Sequence, residues 1–464
     1  MKPFKRVDKK DLEFFEACMP GRVVYQDIST DYDHDEMTEY GHFDPEAVLF
    51  ALDAREISKV MKYCNENNIA VTPRGAGTGL CGGCVPIEGG IIISTEKMKR
   101  VLEVDVTNLT ATLEPGVLLM EFPKYLEGTG LFYPPDPGEK TATIGGNVMT
   151  NAGGMRAVRY GVTRDYVLGM EVVLPNGDIL ELGGKNVKTS SGYSLISLLI
   201  GSEGTLAFLT KITVKLINEE KANLSLLIPF DNLDKCVEAV PKVLSSNTNP
   251  TAVEFMEKAV INGAEDYLGK QFPDKSSDAY MLIRLDGDSV QALMPMVDRL
   301  TELLLTLGAN DVFLADTDER KDSIWNARGA FLEAIKNSTT SMDECDVVVP
   351  RDHIATFVKK SIELSGETGV RIRSFGHAGD GNLHIYVCKD DLTDDIWQQK
   401  VKYIMEQLYQ EAKRLGGEVS GEHGIGHAKR SYLHESIGPG QLALMRGIKN
   451  TFDPNGILNP GKVV

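Results

Sequence analysis

The chain has 464 residues, of which 42% are hydrophobic and 25% charged, with a formal net charge of −18. That length exceeds one ordinary core, so two or more globular domains are expected. The acidic balance argues against general affinity for nucleic acid or anionic membrane surfaces, both of which need basic patches, but it is compatible with docking on a basic protein partner.

The opening MKPFKRVDKKDLEFFEACMPG has no long apolar region of the secretory kind. No apolar run approaches the roughly 20 residues a spanning helix needs. A cytoplasmic protein without membrane insertion is expected. Seven scattered cysteines fit reduced thiols. Cys81 and Cys84 form a CGGC within a glycine-rich loop rather than at a helix start, which speaks against a redox pair. No cysteine run has iron–sulfur spacing.

Residues 1–44 read as a helical lead-in followed by an acidic polar stretch (Asp31 to Glu39). From Pro45 the pattern predicts a strand (Ala47–Ala51), an amphipathic helix (Glu56–Asn67), a strand (Ile69–Thr72), a glycine loop and a strand (Gly90–Ser94). Val101–Asp105 and Thr110–Glu114 have the β-branched character of strands. Val117–Glu127 reads as a helix, and Tyr133–Gly154 as a long loop of the kind that wraps a ligand. Residues 168–217 return to strands, with a hairpin turn at Asn176-Gly177. Beyond about Glu220, strands (Leu224–Ile228, Met281–Leu285) and helices (Leu233–Leu244, Ser289–Leu307, Ile354–Ser365, Trp397–Leu415) predict an α+β domain. The predicted division is a lead-in (1–44), a first domain (45–220), a second (221–418) and a segment returning to the first (419–464).

Three glycine-rich loops within the first domain are too many for turns in one core. In Pro73-Arg74-Gly75-Ala76-Gly77-Thr78-Gly79-Leu80, alternate glycines let successive backbone N–H groups approach an anion. The spacing is not the dinucleotide fingerprint. The second loop runs Pro134-Pro135-Asp136-Pro137 into Thr143-Ile144-Gly145-Gly146-Asn147 and Asn151-Ala152-Gly153-Gly154. The third is Gly201-Ser202-Glu203-Gly204-Thr205. Of eight histidines, two bracket a glycine turn in His377-Ala-Gly-Asp-Gly-Asn-Leu-His384, and another follows a carboxylate in Glu422-His423-Gly424. Two histidines and one carboxylate suit a divalent metal with open positions.

These loops resemble those of the vanillyl-alcohol-oxidase/PCMH flavoprotein family, across about Pro45 to Lys462. The strongest likeness is to its 2-hydroxy-acid dehydrogenases. The resemblance implies an α+β fold: a PCMH-type FAD-binding domain of two α/β subdomains and an α+β cap domain with an antiparallel sheet. It implies FAD held by Arg74, Gly75, Ala76, Gly77, Thr78, Gly79, Leu80, Pro135, Asp136, Thr143, Gly145, Gly146, Asn151, Gly153, Gly154, Glu203, Gly204 and Asn459. No histidine lies between His42 and His353, so the FAD is expected to be noncovalent. The family's G-H-x-G-D-G-N-x-H and E-H-G elements imply His377, His384 and Glu422 as ligands of one divalent metal (Fe²⁺, Zn²⁺ or Mn²⁺). They imply His423 as the catalytic base. Trp325-Asn-Ala-Arg328 resembles the W-x-x-R whose arginine clamps the substrate carboxylate.

The implied reaction is oxidation of a D-2-hydroxy acid. Where relatives acting on 2-hydroxyglutarate carry threonine, lysine and asparagine, this chain has Leu332, Glu344 and Tyr386, which favours lactate or a similar short acid. Glycolate or D-2-hydroxyglutarate oxidation shares every motif. Alkyl transfer without net oxidation and non-catalytic flavin carriage are the readings from other classes. Reduced flavin needs an external acceptor. The resemblance is closest to the branch that acetogens pair with an electron-transferring flavoprotein, which implies those subunits as partners and bifurcation between NAD and ferredoxin. A small polar redox interface would gain encounter rate from the acidic charge.

Overall fold

Parallel strands need a crossover long enough to carry the chain back, and the head of the chain supplies one. In the computed structural model, which describes residues 3–269, 272 and 276–464, helix Ala54–Asn67 links strands Ala47–Phe50 and Val71–Arg74. Asp53 caps it by accepting from the N–H groups of Arg55 (2.8 Å) and Glu56 (3.0 Å). Ile57, Val60, Met61 and Cys64, spaced to share one face, are its buried residues. Both strands pair in parallel with Ile91–Ser94, and Val23–Val24 adds an antiparallel edge. The closing residues return to this layer: Val71 N–H donates to Ile457 O (2.8 Å) and Asn459 N–H to Val71 O (2.7 Å).

A five-stranded antiparallel sheet follows, in the order Val101–Asp105, Thr110–Leu113, Phe208–Lys215, Val167–Val173, Ile179–Gly183. The hairpin turn falls at Asn176-Gly177, where Gly177 has φ +90°.

Two expectations fail in this region. The predicted helix over Val117–Glu127 is absent except for a 3₁₀ turn at Phe122–Tyr125. Pro123 removes a donor there, and Leu119 and Met120 N–H bond instead to Ala142 O (2.9 Å) and Lys140 O (3.0 Å). Conversely, the predicted Tyr133–Gly154 loop contains a helix, Ile144–Thr150. Its two glycines disguise it, but Thr143 caps it (Gly146 N–H to Oγ1, 3.1 Å), and burial of Ile144 and Val148 outweighs their low propensity.

The chain divides into two compact units. The first runs to Ala152 and includes Val162–Glu219 and Glu422–Val464; the second comprises Gly153–Gly161 and Glu220–Gly421. The second is built on a seven-stranded antiparallel sheet. Its strand order is Phe313–Ala315, Ala222–Phe230, Ala279–Gly287, Ala252–Glu257, Arg371–His377, Asn382–Cys388, Met342–Val348. The short Gly153–Gly161 excursion belongs to it because Arg159 donates to Asp286 O (2.7 Å) and Thr251 Oγ1 (3.2 Å) and pairs with Glu220 (2.6 Å). Gly153 and Gly154, expected among the FAD loops, therefore sit at the start of that excursion.

Candidate active site

In the first unit the glycine loops pack onto one another. A Cβ on Gly75 would meet Thr143 Oγ1 at 2.5 Å, and one on Gly145 would meet Pro115 O at 2.7 Å. The backbone N–H groups of Gly201 and Glu203 bond to Val148 O (3.1 Å) and Met149 O (2.8 Å). The Ile144–Thr150 helix is thereby tied to the third loop. Among the described residues, Asn147 Nδ2 and Ser202 Oγ are buried there without a protein partner. Closely approaching backbone and unsatisfied buried polar atoms are what a bound nucleotide would meet and satisfy, so these residues fit FAD.

Several expected FAD residues carry structural duties. The Arg74 guanidinium donates to His34 O (2.9 Å) and Asp31 O (2.5 Å), fastening the acidic lead-in. The Glu203 carboxylate accepts from Ile425 and Gly426 N–H, each at 2.7 Å. Burial raises its pKa, against the pull of those two donors. Asn459 Nδ2 donates to Gly83 O (2.8 Å) and Glu203 O (2.7 Å). Asp136 pairs with Lys140 (2.5 Å). Gly77, Asn151, Gly204 and Asn459 all have positive φ; Ala76, Thr78, Gly79 and Leu80 lie in the same loop as Gly77, Pro135 lies in the second loop, and Gly146 lies in the helix Ile144–Thr150. Sequence reading missed Asp35, whose carboxylate accepts from Gly82 N–H (2.5 Å) and is pushed up to about 6 by burial. It also missed Lys462, pushed down to about 8 by burial.

Glu422 and His423 stand at the start of the first unit's last segment, with His423 Nε2 3.7 Å from Glu422 Oε1. The next residues are pinned to the CGGC loop: Cys81 Sγ donates to Gly424 O (3.2 Å) and His427 N–H to Cys81 O (3.1 Å). None of the seven cysteines is in a disulfide.

In the second unit the histidine motif folds as a hairpin. Arg371–His377 and Asn382–Cys388 pair with His377 opposite Asn382 and Phe375 opposite His384. With a side-chain period of two, His377 and His384 share a face as diagonal neighbours. Gly381, at φ +93°, makes the turn. The two Nε2 atoms stand 3.4 Å apart. Behind them, His377 Nδ1 lies 2.8 and 3.0 Å from the oxygens of Glu254. His384 Nδ1 lies 3.8 Å from Glu344 and 3.7 Å from Asp346. Paired imidazole nitrogens backed by buried carboxylates match the donor chemistry of a divalent cation. Asp346 also accepts from Asn382 Nδ2 (2.7 Å), Ser420 Oγ (2.8 Å) and Gly421 N–H (3.1 Å). It thus anchors the chain one residue before Glu422.

Helix Asp318–Gly329 brings Arg328 to the same unit, located by Trp325 Nε1 donating to Ser225 Oγ (2.9 Å). Arg328 is buried, with Nε donating to Glu254 Oε2 (2.8 Å) and its guanidinium carbon 4.6 Å from the centre of the Phe375 ring. Tyr386 is buried, stacks on Phe375 (5.5 Å, 23°) and pairs across the sheet with Glu344, while Leu332 is half-buried. Glu254 was not read from the sequence. An acid at the centre of the apolar run Ala-Val-Glu-Phe-Met, within strand Ala252–Glu257, was the available signal.

A family model described as FAD binding domain matches residues 45–183, and one described as FAD linked oxidases, C-terminal domain, matches residues 219–463. The chain belongs to the FAD-linked oxidase family. It is 49% identical to a D-lactate dehydrogenase of Anaerostipes hadrus, over 99% of this chain and 98% of that protein. It is 37% identical to the glycolate oxidase subunit GlcD of Bacillus subtilis, over 97% and 94% respectively. Crystalline p-cresol methylhydroxylase shares the fold at a TM-score of 0.82 and 18% identity, covering 99% of this chain and 98% of its own. The α+β, PCMH-type architecture expected from the loops is therefore the architecture of this protein, and the chain is an FAD-dependent oxidoreductase.

Proposed function

We propose that the protein oxidises D-lactate to pyruvate. The observation that carries this reading is the buried constellation of His377, His384, Arg328 and Glu254 in one unit. The 49% identity to a D-lactate dehydrogenase over nearly the full chain supports it.

His377 and His384, with Glu422, would hold the divalent cation, which when bound withdraws charge from the substrate hydroxyl and lowers its pKa. FAD, when bound in the loops around Gly75, Thr143 and Gly204, supplies the acceptor for the hydride leaving C2. The rest falls to the chain's own side chains. Arg328 pairs with the substrate carboxylate through the edge of its fork not turned to Glu254, which orients C2. His423 would accept the hydroxyl proton on an imidazole nitrogen. Leu332 has no polar group, and the hydroxyl of the buried, ring-stacked Tyr386 is engaged by Glu344, which favours a short acid over 2-hydroxyglutarate.

Electrons leave to a protein acceptor, an electron-transferring flavoprotein that couples lactate oxidation to NAD and ferredoxin. The absence of cluster-type cysteine spacing and of a nicotinamide fingerprint in the sequence supports this reading, as does the charge of −18. No helix among the described residues is long and apolar enough to cross a membrane, and a cytoplasmic site of action is part of the proposal. Glycolate is the second reading, favoured by the similarity to GlcD. Dye-coupled turnover across D- and L-lactate, glycolate and D-2-hydroxyglutarate decides: the largest kcat/KM is expected for D-lactate, and a larger value for any other acid overturns the assignment.

A further inference from the structure

We infer that Glu254 is a positioning residue that holds the cation site and the substrate arginine in one register; this rests on the reading of the site given above. Glu254 lies on strand Ala252–Glu257 and is fully buried. Its neighbour Phe255 pairs with Gly376, which sets Glu254 beside His377 across the sheet. Oε1 lies 2.8 Å from His377 Nδ1, while Oε2 accepts from Arg328 Nε (2.8 Å) and lies 2.7 Å from Arg328 Nη2.

A carboxylate buried without partners would cost several kcal/mol. Here it has two, and each belongs to a different task. An anion at Nδ1 requires the His377 proton on that nitrogen, which leaves the Nε2 lone pair directed at the space shared with His384 Nε2. The same carboxylate fixes the plane of the Arg328 fork, already packed over Phe375. His384 has looser backing, at 3.7 and 3.8 Å from Asp346 and Glu344. Glu254 is therefore the tighter of the two supports. A purely structural ion pair would need only Arg328. Reach to both groups is what a coupling element requires.

The test uses the FAD-loaded full chain, stripped of metal by chelation and then titrated with Mn²⁺ or Zn²⁺ alone. Glu254→Gln keeps the shape but forfeits the charge. Its affinity for the probe ions should fall by about 10- to 100-fold, as for other carboxylates that support a ligating histidine. Its KM for D-lactate should rise more than kcat falls, with FAD content unchanged. Arg328→Lys should raise KM while leaving ion affinity within about twofold. Glu254→Asp should recover part of both losses, and it carries the test should the glutamine variant fail to fold. If the parent binds the ion and a folded Glu254 variant binds it equally with parental KM, the inference is overturned and the site reading stands. If the parent binds no stoichiometric ion, both fall.

Discussion

The hydroxyl of Thr143 occupies the space a side chain on Gly75 would need: a Cβ there lies 2.5 Å from Oγ1. Because Thr143 also caps the Ile144–Thr150 helix, neither partner can retreat without loosening the other. Gly75→Ala should therefore cost about 1–3 kcal/mol of overpacking and lower the FAD content per chain. The flavin-to-protein absorbance ratio and thermal melting check this. Gly447→Ala, in open space on helix Pro439–Phe452, is the control and should leave the flavin ratio at the parental value. A Gly75→Ala variant with full flavin content would mean that the loop relaxes freely.

His427 supplies a pH dependence. Burial, with a contribution from nearby Lys462, pushes its imidazole down to about 4 from 6.5. A histidine held neutral in the fold contributes no loss of stability above pH 6.5. As pH falls from 6.5 toward 4, the unfolded chain takes up a proton that the folded chain refuses, so stability drops. Replacing it with Gln removes that drop. The Tm difference, variant minus parent, should become more positive between pH 7 and pH 5. A difference that stays flat or moves the other way contradicts the assignment.

His423→Ala should slow flavin reduction by about 10²–10⁴, the usual worth of a positioned base. Arg328→Lys should act mainly on KM, because an ammonium cannot reproduce the two-pronged contact. Pre-steady-state reduction rates at saturating D-lactate separate the two effects. Parental rates in His423→Ala would remove it from the chemistry.

Much of this molecule was legible in one dimension because period and punctuation were strong there. Helix Leu233–Leu244 falls where the apolar spacing put it, and the strands around Asn176-Gly177 close as a hairpin. The His377/His384 pair could be read from a glycine turn between strand-like residues. Segments governed by distant partners were illegible. Leu119 and Met120 are drawn from helix by carbonyls of residues 140 and 142. Residues 153–161 follow Arg159 to the second unit through Thr251 and Asp286. Glu254 acquires meaning only once two elements far along the chain deliver His377 and Arg328 to it.

The central claim concerns what gives electrons to the flavin, and anaerobic single-turnover spectroscopy of the metal-replete holoenzyme tests it most directly. Addition of D-lactate should bleach the oxidised-flavin band to completion, with one pyruvate formed per flavin. L-lactate should leave the band intact. Chelation should abolish the bleaching while FAD remains bound, since the proposed ligands lie outside the glycine loops. A flavin that D-lactate does not reduce, in protein carrying both FAD and a divalent cation, would contradict the account.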